Sequence, residues 1–414
     1  MLLIHGKGIY DSDKQRMEHT GLVIEKGKIR ELGLFEELAG RYPEAELLDY
    51  SQEYIMPGLI NTHVHLEFTP QTEVCRTFME EKKEQRLEKA IRHGREMLYS
   101  GVTTVRDLGS SMETEEAIRK MEKASSAGLP RLLLSGMPLT EKGGHLAFLG
   151  EAADSGEELM FAVAQRKRAG CDCIKLIVSG GQNTPGSVPE RDAYDRERIR
   201  LVTEEAHRQG LLVAAHCLTT TSFVNCMENG VDFMEHCSCF VRKYPENLLA
   251  RVWEPEKMEK FRGDHRLFMI GFSNNYHRLD EARERRKKPS PEETFWLEQE
   301  KREAEIFNHL LDLGLRPVIG TDGGCGQTYF DETWLELALL VERCGMSEAD
   351  VIHAATVTGA EALGLEKVAG RLKPGYDADL ITTKENPLKN IRALARVGHV
   401  MRAGQVIKID TCER

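Results

Sequence analysis

The sequence lacks the long apolar segments that mark membrane proteins. No run approaches the roughly 20 consecutive apolar residues that a transmembrane helix requires. The amino terminus also lacks the basic segment followed by an apolar core that is typical of a secretory signal peptide. These absences argue against a membrane or secreted protein, and we expect the protein to be cytoplasmic.

An excess of positive charge is missing as well. The 56 Lys and Arg residues are outnumbered by 67 Asp and Glu residues, which gives a formal net charge of −11. This balance disfavours nucleic acid or an anionic membrane surface as a partner. The expected partner is therefore a small-molecule substrate, and we expect the chain to form a homo-oligomer.

The ten cysteines lack the spacing of a structural zinc site. Cys171 and Cys173, like Cys237 and Cys239, are separated by one residue, whereas structural zinc sites use C-x₂-C motifs. Disulfides are disfavoured in the reducing compartment expected here. We therefore interpret most cysteines as small buried hydrophobic residues.

The sequence does contain a pair of histidines shortly after an apolar run. His63 and His65 follow the run 54–60. Because successive side chains of a strand alternate between its faces, the two imidazoles would face the same side and could share a metal ion. Such pairs suit the carboxyl ends of barrel strands, where barrel enzymes carry their chemistry. The pair alone is weak evidence for a metal site, so the remaining ligands must be found elsewhere in the chain.

Four more candidate ligands lie in or directly after their own short apolar runs. Helical stretches separate these runs, which is the alternation of an α/β barrel. Because the carboxyl ends of barrel strands meet at one rim, all six candidates are expected to converge there. The four residues are Lys175 within 173–178, His216 after 211–215, His236 after 231–235 and Asp322 after 317–321.

With these residues in place, the chain resembles the amidohydrolase superfamily over essentially its whole length. Segments 57–66 and 101–107 are similar to the family's first two barrel strands, and 214–216, 235–236 and 320–322 to its fifth, sixth and eighth. Lys175, followed by Ser179-Gly180-Gly181, narrows the resemblance to members with a carboxylated lysine on the fourth strand. Gly143-Gly144-His145 resembles the branch that contains Xaa-Pro dipeptidases and Xaa-Arg carboxypeptidases.

The expected architecture is an α/β fold, a (β/α)8 TIM barrel with a small β-sandwich domain. At 414 residues the chain is long enough for a barrel of about 250 residues and a smaller unit. Short β-like runs punctuated by Gly and Asp occur near both ends, and the resemblance implies that they form the sandwich. We predict sandwich segments 1–56 and 370–414 around a metal-dependent hydrolase barrel of residues 57–369.

The ligand types suit two divalent metal ions, for which we favour zinc. An ordinary lysine ammonium would repel both ions, and the resemblance implies that Lys175 is N6-carboxylysine, an anionic carbamate that bridges them. The expected reaction is attack of a bridging hydroxide on the substrate carbonyl, with Asp322 moving the proton to the departing amine. The inferred arrangement places His63, His65 and Asp322 on one ion and His216 and His236 on the other.

Three residues are candidate substrate contacts. His145 is a candidate for holding the oxyanion or a substrate carboxylate. Dipeptidase-like relatives carry a tyrosine two residues after the fifth-strand histidine, whereas this chain carries Leu218, which cannot donate that hydrogen bond. Tyr276 could reach the same pocket, although an exposed loop aromatic is an equal alternative. We predict hydrolysis of an amide-type C–N bond in a small molecule such as a dipeptide or an N-acyl amino acid.

Three alternatives stay open. A lactonase or phosphotriesterase uses nearly the same binuclear ligand set. A mononuclear deaminase or imidazolonepropionase-like hydrolase shares most of the ligands but typically lacks the fourth-strand lysine, so Lys175 argues against it. A scaffold protein that has lost its metals is disfavoured because all six ligand types are retained.

Overall fold

The computed structural model describes residues 1–71, 73–124, 128–150, 152–245, 247–274, 276–284 and 288–407. Residues 408–414, the end of the predicted C-terminal sandwich segment, lie outside these ranges. The strands are β1 (Leu2–Asp11), β2 (Arg16–Glu25), β3 (Lys28–Gly33), β4 (Glu46–Pro57), β5 (Leu59–Val64), β6 (Val102–Asp107), β7 (Arg131–Leu134), β8 (Cys173–Ile177), β9 (Leu212–Cys217), β10 (Phe233–His236), β11 (Phe240–Lys243), β12 (Leu248–Arg251), β13 (Leu267–Met269), β14 (Arg316–Pro317), β15 (Leu380–Thr383), β16 (Val397–Arg402) and β17 (Gln405–Ile407). The helices are α1 (Phe35–Arg41), α2 (Val74–Glu80), α3 (Lys83–Tyr99), α4 (Met112–Ala124), α5 (Gly156–Ala169), α6 (Arg196–Arg208), α7 (Thr220–Glu228), α8 (Pro255–Met258), α9 (Tyr276–Glu284), α10 (Pro291–Asp312), α11 (Thr333–Cys344), α12 (Glu348–His353) and α13 (Gly359–Ala362).

The first and last strands belong to one seven-stranded sheet. Its order is β17-β16-β15-β4-β1-β2-β3, with β1 parallel to β4 and antiparallel to β2. The two ends of the chain meet where β15 pairs antiparallel with β4, with Leu380 opposite Pro57. The structure thus places strands from both ends of the chain in a single mixed sheet, and the predicted β-sandwich stays a prediction.

Strand β4 connects this terminal sheet to the rest of the molecule. Because neighbouring side chains face opposite sides of a strand, Ile55 packs in the sheet's own apolar cluster while Met56 packs in the large central core. Arg131, at the amino end of β7, adds a polar link. Its guanidinium donates to Asp379 at 2.9 Å and to Asp377 at 2.8 Å, which fixes the sheet against the parallel strands.

The central strands are parallel and lie in two sheets. One has the order β5-β6-β7 and the other β14-β13-β10-β9-β8. Backbone hydrogen bonds link their edges: Leu139 donates to the Lys175 carbonyl at 2.8 Å, and Thr62 donates to the Ile319 carbonyl at 2.7 Å. The bridges at these edges are parallel too. The carboxyl ends of both sheets therefore point to the same side, and the predicted α/β class with parallel strands is confirmed.

The last parallel strand is shorter than the sequence predicts. The run 317–321 reads as a strand, but regular pairing is confined to β14. Beyond it the backbone turns, so that the Asp322 amide donates to the His63 carbonyl at 2.9 Å. Asp322 has a φ of +58°, a left-handed conformation that a strand excludes. Residues 318 and 319 still bond to the neighbouring strands, with the Val318 amide donating to the Phe268 carbonyl at 3.0 Å, and the turn that follows brings Asp322 to the end of β5.

Helix α10 begins at a strong local signal. The Ser290 side chain accepts a hydrogen bond from the Glu293 amide at 3.1 Å, and Pro291 occupies the first helical position. This start fixes the register in which Gln299 and Glu303 reach β12.

Within the described ranges, no helix has both the length and the apolar character needed to cross a bilayer.

Gly58 lies at the junction of β4 and β5, where a side chain has no room. A β-carbon there would lie 2.7 Å from Cβ of Thr103 and closer still to its Oγ1 and Cγ2. We expect Gly58→Ala to lower the free energy of unfolding by roughly 1–3 kcal/mol, the usual cost of overpacking a close-packed site. Urea-induced unfolding followed by circular dichroism measures the loss.

Gly40→Ala is the matched control for this experiment. Apart from the chain neighbours of Gly40 and the backbone of its own helix α1, no atom of the described residues lies within 4 Å of the added methyl group. Because alanine favours helix formation over glycine, this variant should unfold at the same or higher urea concentration than the wild type. A Gly58→Ala midpoint equal to that of the wild type would show that the backbone relaxes there without cost.

Candidate active site

The carboxyl ends of the parallel strands surround a cavity. Most residues that the sequence singles out line it, and His63 lies beside them with no exposed surface. The structure therefore brings together side chains from β5, β8, β9, β10 and the turn after β14. The predicted residues that line the cavity are His65, His145, Lys175, His216, Leu218, His236 and Asp322.

His63 and His65 meet Asp322 at the end of β5. Oδ1 of Asp322 is 3.4 Å from Nε2 of His63 and 3.3 Å from Nε2 of His65. One carboxylate oxygen thus faces both rings, as expected for histidines on the same face of a strand. His236 joins this group, because ligand atoms of His63, His236 and Asp322 all lie within 4.8 Å of one another.

Lys175 lies in the middle of β8 with only 1% of its surface exposed. Its Nζ is 3.4 Å from Nε2 of His63. Burial lowers the pKa of the Lys175 amine, although the carboxylates of Glu235 and Asp322 oppose this effect. Burial therefore favours the neutral amine, which is the form that reacts with carbon dioxide.

His216 and His236 complete the group of imidazoles. Their ring centroids are 4.8 Å apart, and the His236 ring is 5.0 Å from that of His63. Burial lowers the pKa of His236 to about 3 and holds the pKa values of His216 and His63 well below their ordinary range. These rings are therefore neutral, the state in which imidazole binds a metal ion.

Three of the histidines are fixed by a hydrogen bond from one ring nitrogen. Nδ1 of His63 donates to Oε2 of Glu235 at 2.8 Å. Nδ1 of His65 and Nε2 of His216 each donate to a backbone carbonyl oxygen, at 3.2 and 3.0 Å. Because these oxygens only accept, the bonded nitrogen must carry the hydrogen. The other nitrogen of each ring then keeps its lone pair for a metal ion, as in most metal-binding histidines.

The carboxylate that holds His63 has no predicted role in the sequence. Glu235 also accepts a hydrogen bond from Nη2 of Arg106 at 2.8 Å, and Nε of Arg106 donates to the Thr62 carbonyl at 2.6 Å. Both charged side chains are buried. The one sequence signal is that Glu235 directly precedes His236 in an apolar run, where an ionised residue needs a partner.

His145 lies over the ring of His216, with centroids 4.7 Å apart. Its Nδ1 is 3.1 Å from Oγ1 of Thr184, which also accepts the Leu146 amide at 2.9 Å. Gly181 makes room for the ring, because a β-carbon there would lie 2.5 Å from it. Burial lowers the pKa of His145 to about 3, so this ring is neutral as well.

The other two predicted substrate contacts differ in their placement. Leu218 lines the cavity beside Phe240, and the two belong to one small apolar cluster. Tyr276 is not among the described residues that line the cavity. It begins α9, and its ring lies 5.2 and 5.3 Å from the guanidinium groups of Arg283 and Arg343. The cavity contact of this loop belongs to Asn274 instead, whose Nδ2 donates to Oδ2 of Asp322 at 3.1 Å.

The donor set fits divalent metal ions with one exception. Neutral imidazoles and a carboxylate are common ligands of zinc and similar ions. Cys325, for which the sequence predicts no role, also lies with His65 and Asp322 in a group whose ligand atoms are within 4.8 Å. The exception is Lys175, since an ammonium group at this distance from His63 would repel a cation. A lysine that carries a carbamate would remove the misfit.

Residues 54–407 match the profile of the Amidohydrolase family. Ochratoxinase of Aspergillus niger is 26% identical, with 98% of this chain and 86% of that protein aligned. Imidazolonepropionase of Geobacillus thermodenitrificans is 24% identical, with 96% of this chain and 92% of that protein aligned.

Among solved structures, a Xaa-Pro dipeptidase with methionine bound in its active site has a TM-score of 0.82 to this chain. Its sequence identity is 22%, and the alignment covers 98% of this chain and 99% of that one. At this identity the likeness supports the fold, whereas the family profile covers the candidate ligands as well. The chain therefore belongs to the amidohydrolase family, as its motifs indicated, and is a hydrolase that acts on carbon–nitrogen bonds.

Proposed function

We propose that this enzyme hydrolyses the amide bond of a small molecule, such as a dipeptide or an N-acyl amino acid, at a site that holds two divalent metal ions. One observation carries the proposal. Four histidines, a lysine and an aspartate meet in one buried region, and three of the rings are fixed by a hydrogen bond from a single nitrogen. The fold shared with a Xaa-Pro dipeptidase is consistent with a peptide-like substrate.

The proposed ligands divide between the two ions. Members of the family generally bind divalent metals, and zinc suits imidazole and carboxylate donors. Bound here, such ions supply a lowered pKa of water and a polarised substrate carbonyl. His63, His65 and Asp322 would hold one ion, His216 and His236 the other, and N6-carboxylysine at Lys175 would lie between them.

Asp322 is the proposed general base and acid. Asn274 donates to its Oδ2, which fixes the carboxylate while Oδ1 faces the rings of His63 and His65. A carboxylate held in this way can accept the proton of the nucleophilic water and deliver it to the departing amine.

His145 is proposed to donate a hydrogen bond to the substrate oxygen. Because Oγ1 of Thr184 already accepts the Leu146 amide, its own hydrogen can point to Nδ1 of His145. The neutral ring then carries its hydrogen on Nε2, which can stabilise the developing oxyanion. Leu218 and Phe240 supply an apolar wall for the substrate.

The architecture is proposed in the same way. The hydrogen bonds between the edges of the two parallel sheets support one closed (β/α)8 barrel over residues 57–369. The terminal sheet supports a β-sandwich built from segments 1–56 and 370–414, of which 408–414 lie outside the described residues. The cytoplasmic location and the homo-oligomeric state stay predictions.

A second candidate is hydrolysis of a cyclic amide, which the similarity to imidazolonepropionase favours. The buried Lys175 beside His63 favours the binuclear amidase instead. The zinc-loaded protein should be assayed on N-acyl amino acids, dipeptides, cyclic amides and lactones. Turnover of cyclic amides or lactones in the absence of any linear amide hydrolysis would exclude the main proposal.

Lys175→Ala should lose metal and activity together, because the bridge between the ions is removed. We expect the metal content to fall from about two ions per chain, the content of a two-metal site, with partial rescue of activity by short carboxylic acids. Elemental analysis and a hydrolysis assay measure both effects.

Lys89→Met is the matched control, since Lys89 is also buried but donates to Thr69 at 3.0 Å. It should keep its metal. A wild-type protein that is fully active with one ion per chain, under excess zinc and bicarbonate, would reject the bridging lysine.

Asp322→Asn should reduce turnover more than metal binding. An amide oxygen can still approach a metal ion, but it cannot accept a proton, so kcat should fall by roughly 10² to 10⁴. The rate is compared at equal metal content per chain. Asp322 has no part in proton transfer if the fully metallated variant keeps the kcat of the wild type.

His145→Ala should lower kcat/KM by roughly 10² to 10³ with metal content unchanged, because one hydrogen bond to the oxyanion is lost. Leu218→Tyr adds the hydroxyl that dipeptidase-like relatives carry and should shift the substrate ranking toward dipeptides. Steady-state kinetics on matched dipeptides and N-acyl amino acids tests both variants. If neither variant changes kcat/KM or the ranking of substrates, these two residues do not contact the substrate.

A further inference from the structure

A hairpin that follows the metal-ligand candidate His236 brings an arginine to the cavity. Strands β11 and β12 pair antiparallel, with Phe240 opposite Arg251. Arg251 lines the same cavity as His216, His236 and Asp322. Its ion-pair partner Glu303 lines the cavity as well, so the cavity holds a charged pair outside the proposed metal ligands.

The guanidinium of Arg251 carries more N–H donors than the described residues around it supply acceptors for. Its side chain is only 12% exposed, and its one hydrogen bond within the described ranges joins Nη2 to Oε1 of Glu303. Nε is buried and has no hydrogen-bond partner there. An arginine carries five N–H donors, and buried donors without acceptors are costly and rare. Nη1 has no hydrogen bond within these ranges either and, unlike Nε, is not fully buried, so it is the donor that a ligand could reach.

Arg251 is held rigidly in spite of this deficit. Glu303 of α10 binds its side chain, and Gln299 of the same helix accepts the Arg251 backbone amide at 2.6 Å. The ring of Phe240 lies 4.8 Å from the centre of the guanidinium. A donor fixed in advance loses little entropy when a ligand binds.

The surroundings of the guanidinium indicate what such a ligand looks like. A planar guanidinium pairs best with a carboxylate or a phosphate, because its N–H groups can bind two oxygens at once. Leu218 and Phe240, which line the same cavity, are apolar. A ligand with a carboxylate next to an apolar group matches both features, whereas a phosphate ligand would leave the apolar wall unused.

We propose that Arg251 binds the free carboxylate of the substrate's C-terminal amino acid, the half that leaves as the amine product. The apolar side chain of this amino acid packs against Leu218 and Phe240. This inference rests on the proposed amide hydrolysis and narrows its substrate class to dipeptides and N-acyl amino acids with an unblocked C-terminal carboxylate. Arg251 becomes a specificity-determining residue, and Gln299 and Glu303 position it.

A purely structural Arg251, which only ties the hairpin to α10, predicts a different result. Its loss would lower stability and affect all substrates equally. A carboxylate-binding Arg251 instead changes the ratio between substrates that differ only in that group. The test is therefore a comparison of N-acyl-leucine with N-acyl-leucinamide, which share the scissile bond but differ in the carboxylate.

The wild-type enzyme should prefer N-acyl-leucine, and Arg251→Met should lose roughly 10- to 100-fold of that preference, the range expected for one hydrogen-bonded charge. Arg242→Met is the matched control. Arg242 lies on the same hairpin, but its guanidinium binds Glu190, with Nη2 donating at 2.9 Å, and it is not among the described cavity-lining residues. This control should keep the preference. Metal content is measured in all three proteins.

Binding of leucine and of leucinamide to the metal-loaded proteins, followed by calorimetry, gives a readout independent of turnover. Leucine should bind the wild type more tightly than leucinamide does, and Arg251→Met should remove the difference. If Arg251→Met is poorly folded, Arg251→Lys keeps the charge without the planar fork and should show a smaller preference than the wild type.

The possible outcomes separate this inference from the proposed function. Equal hydrolysis of the two substrates by the wild type, or an unchanged preference in a folded Arg251→Met, overturns the role of Arg251 while amide hydrolysis stands. If neither substrate is hydrolysed, the proposed function fails for this class and calorimetry decides about Arg251. Weaker leucine binding in Arg251→Met then supports a carboxylate site, and equal or absent leucine binding overturns it.

Discussion

The buried ion pair between Glu235 and Arg106 holds together the elements that form the site. Oε1 of Glu235 accepts a hydrogen bond from Arg106 and Oε2 accepts one from His63, so a single carboxylate of β10 contacts both β5 and β6. Removing one charge would leave the other unpaired in the interior, which typically costs 3–5 kcal/mol. The same carboxylate fixes the tautomer of His63. The integrity of the interior and the orientation of one candidate ligand thus depend on the same contact.

This interior also supports backbone conformations that are unfavourable on their own. His236 and Asp322 have φ values of +72° and +58°, and such conformations cost about 1–3 kcal/mol each outside glycine. Hydrogen bonds from the amides of Thr321 and Asp322 to the His63 carbonyl, at 3.2 and 2.9 Å, hold one of these turns. The strain lies where a ligand candidate must leave the direction of its strand to reach the others.

The sequence predicts those parts of the site that local patterns determine. His63 and His65 share a face because strands alternate, and the remaining ligand candidates follow from their places within or directly after apolar runs. Glu235 and Arg251 could not be found in this way, because Arg106 and Glu303, their partners, lie 129 and 52 residues away along the chain. The contact from the loop after β13 was equally inaccessible, although His145, on another loop, was predicted and lines the cavity. Which residue reaches the cavity after β13 depends on where α9 begins.

Local and overall charge act in opposite directions on the proposed substrates. The net charge of −11 does not attract anions over long distances, and salt screens such fields beyond about 8 Å. Within the proposed site, two divalent ions would outweigh the charges of Asp322 and a carbamate, while Glu303 offsets Arg251. Selection of a carboxylate must then occur at contact distance, through donors that lack other acceptors. A pocket of this kind rejects a neutral analogue more strongly than an apolar pocket rejects a wrong side chain, because the buried N–H groups are left unpaired.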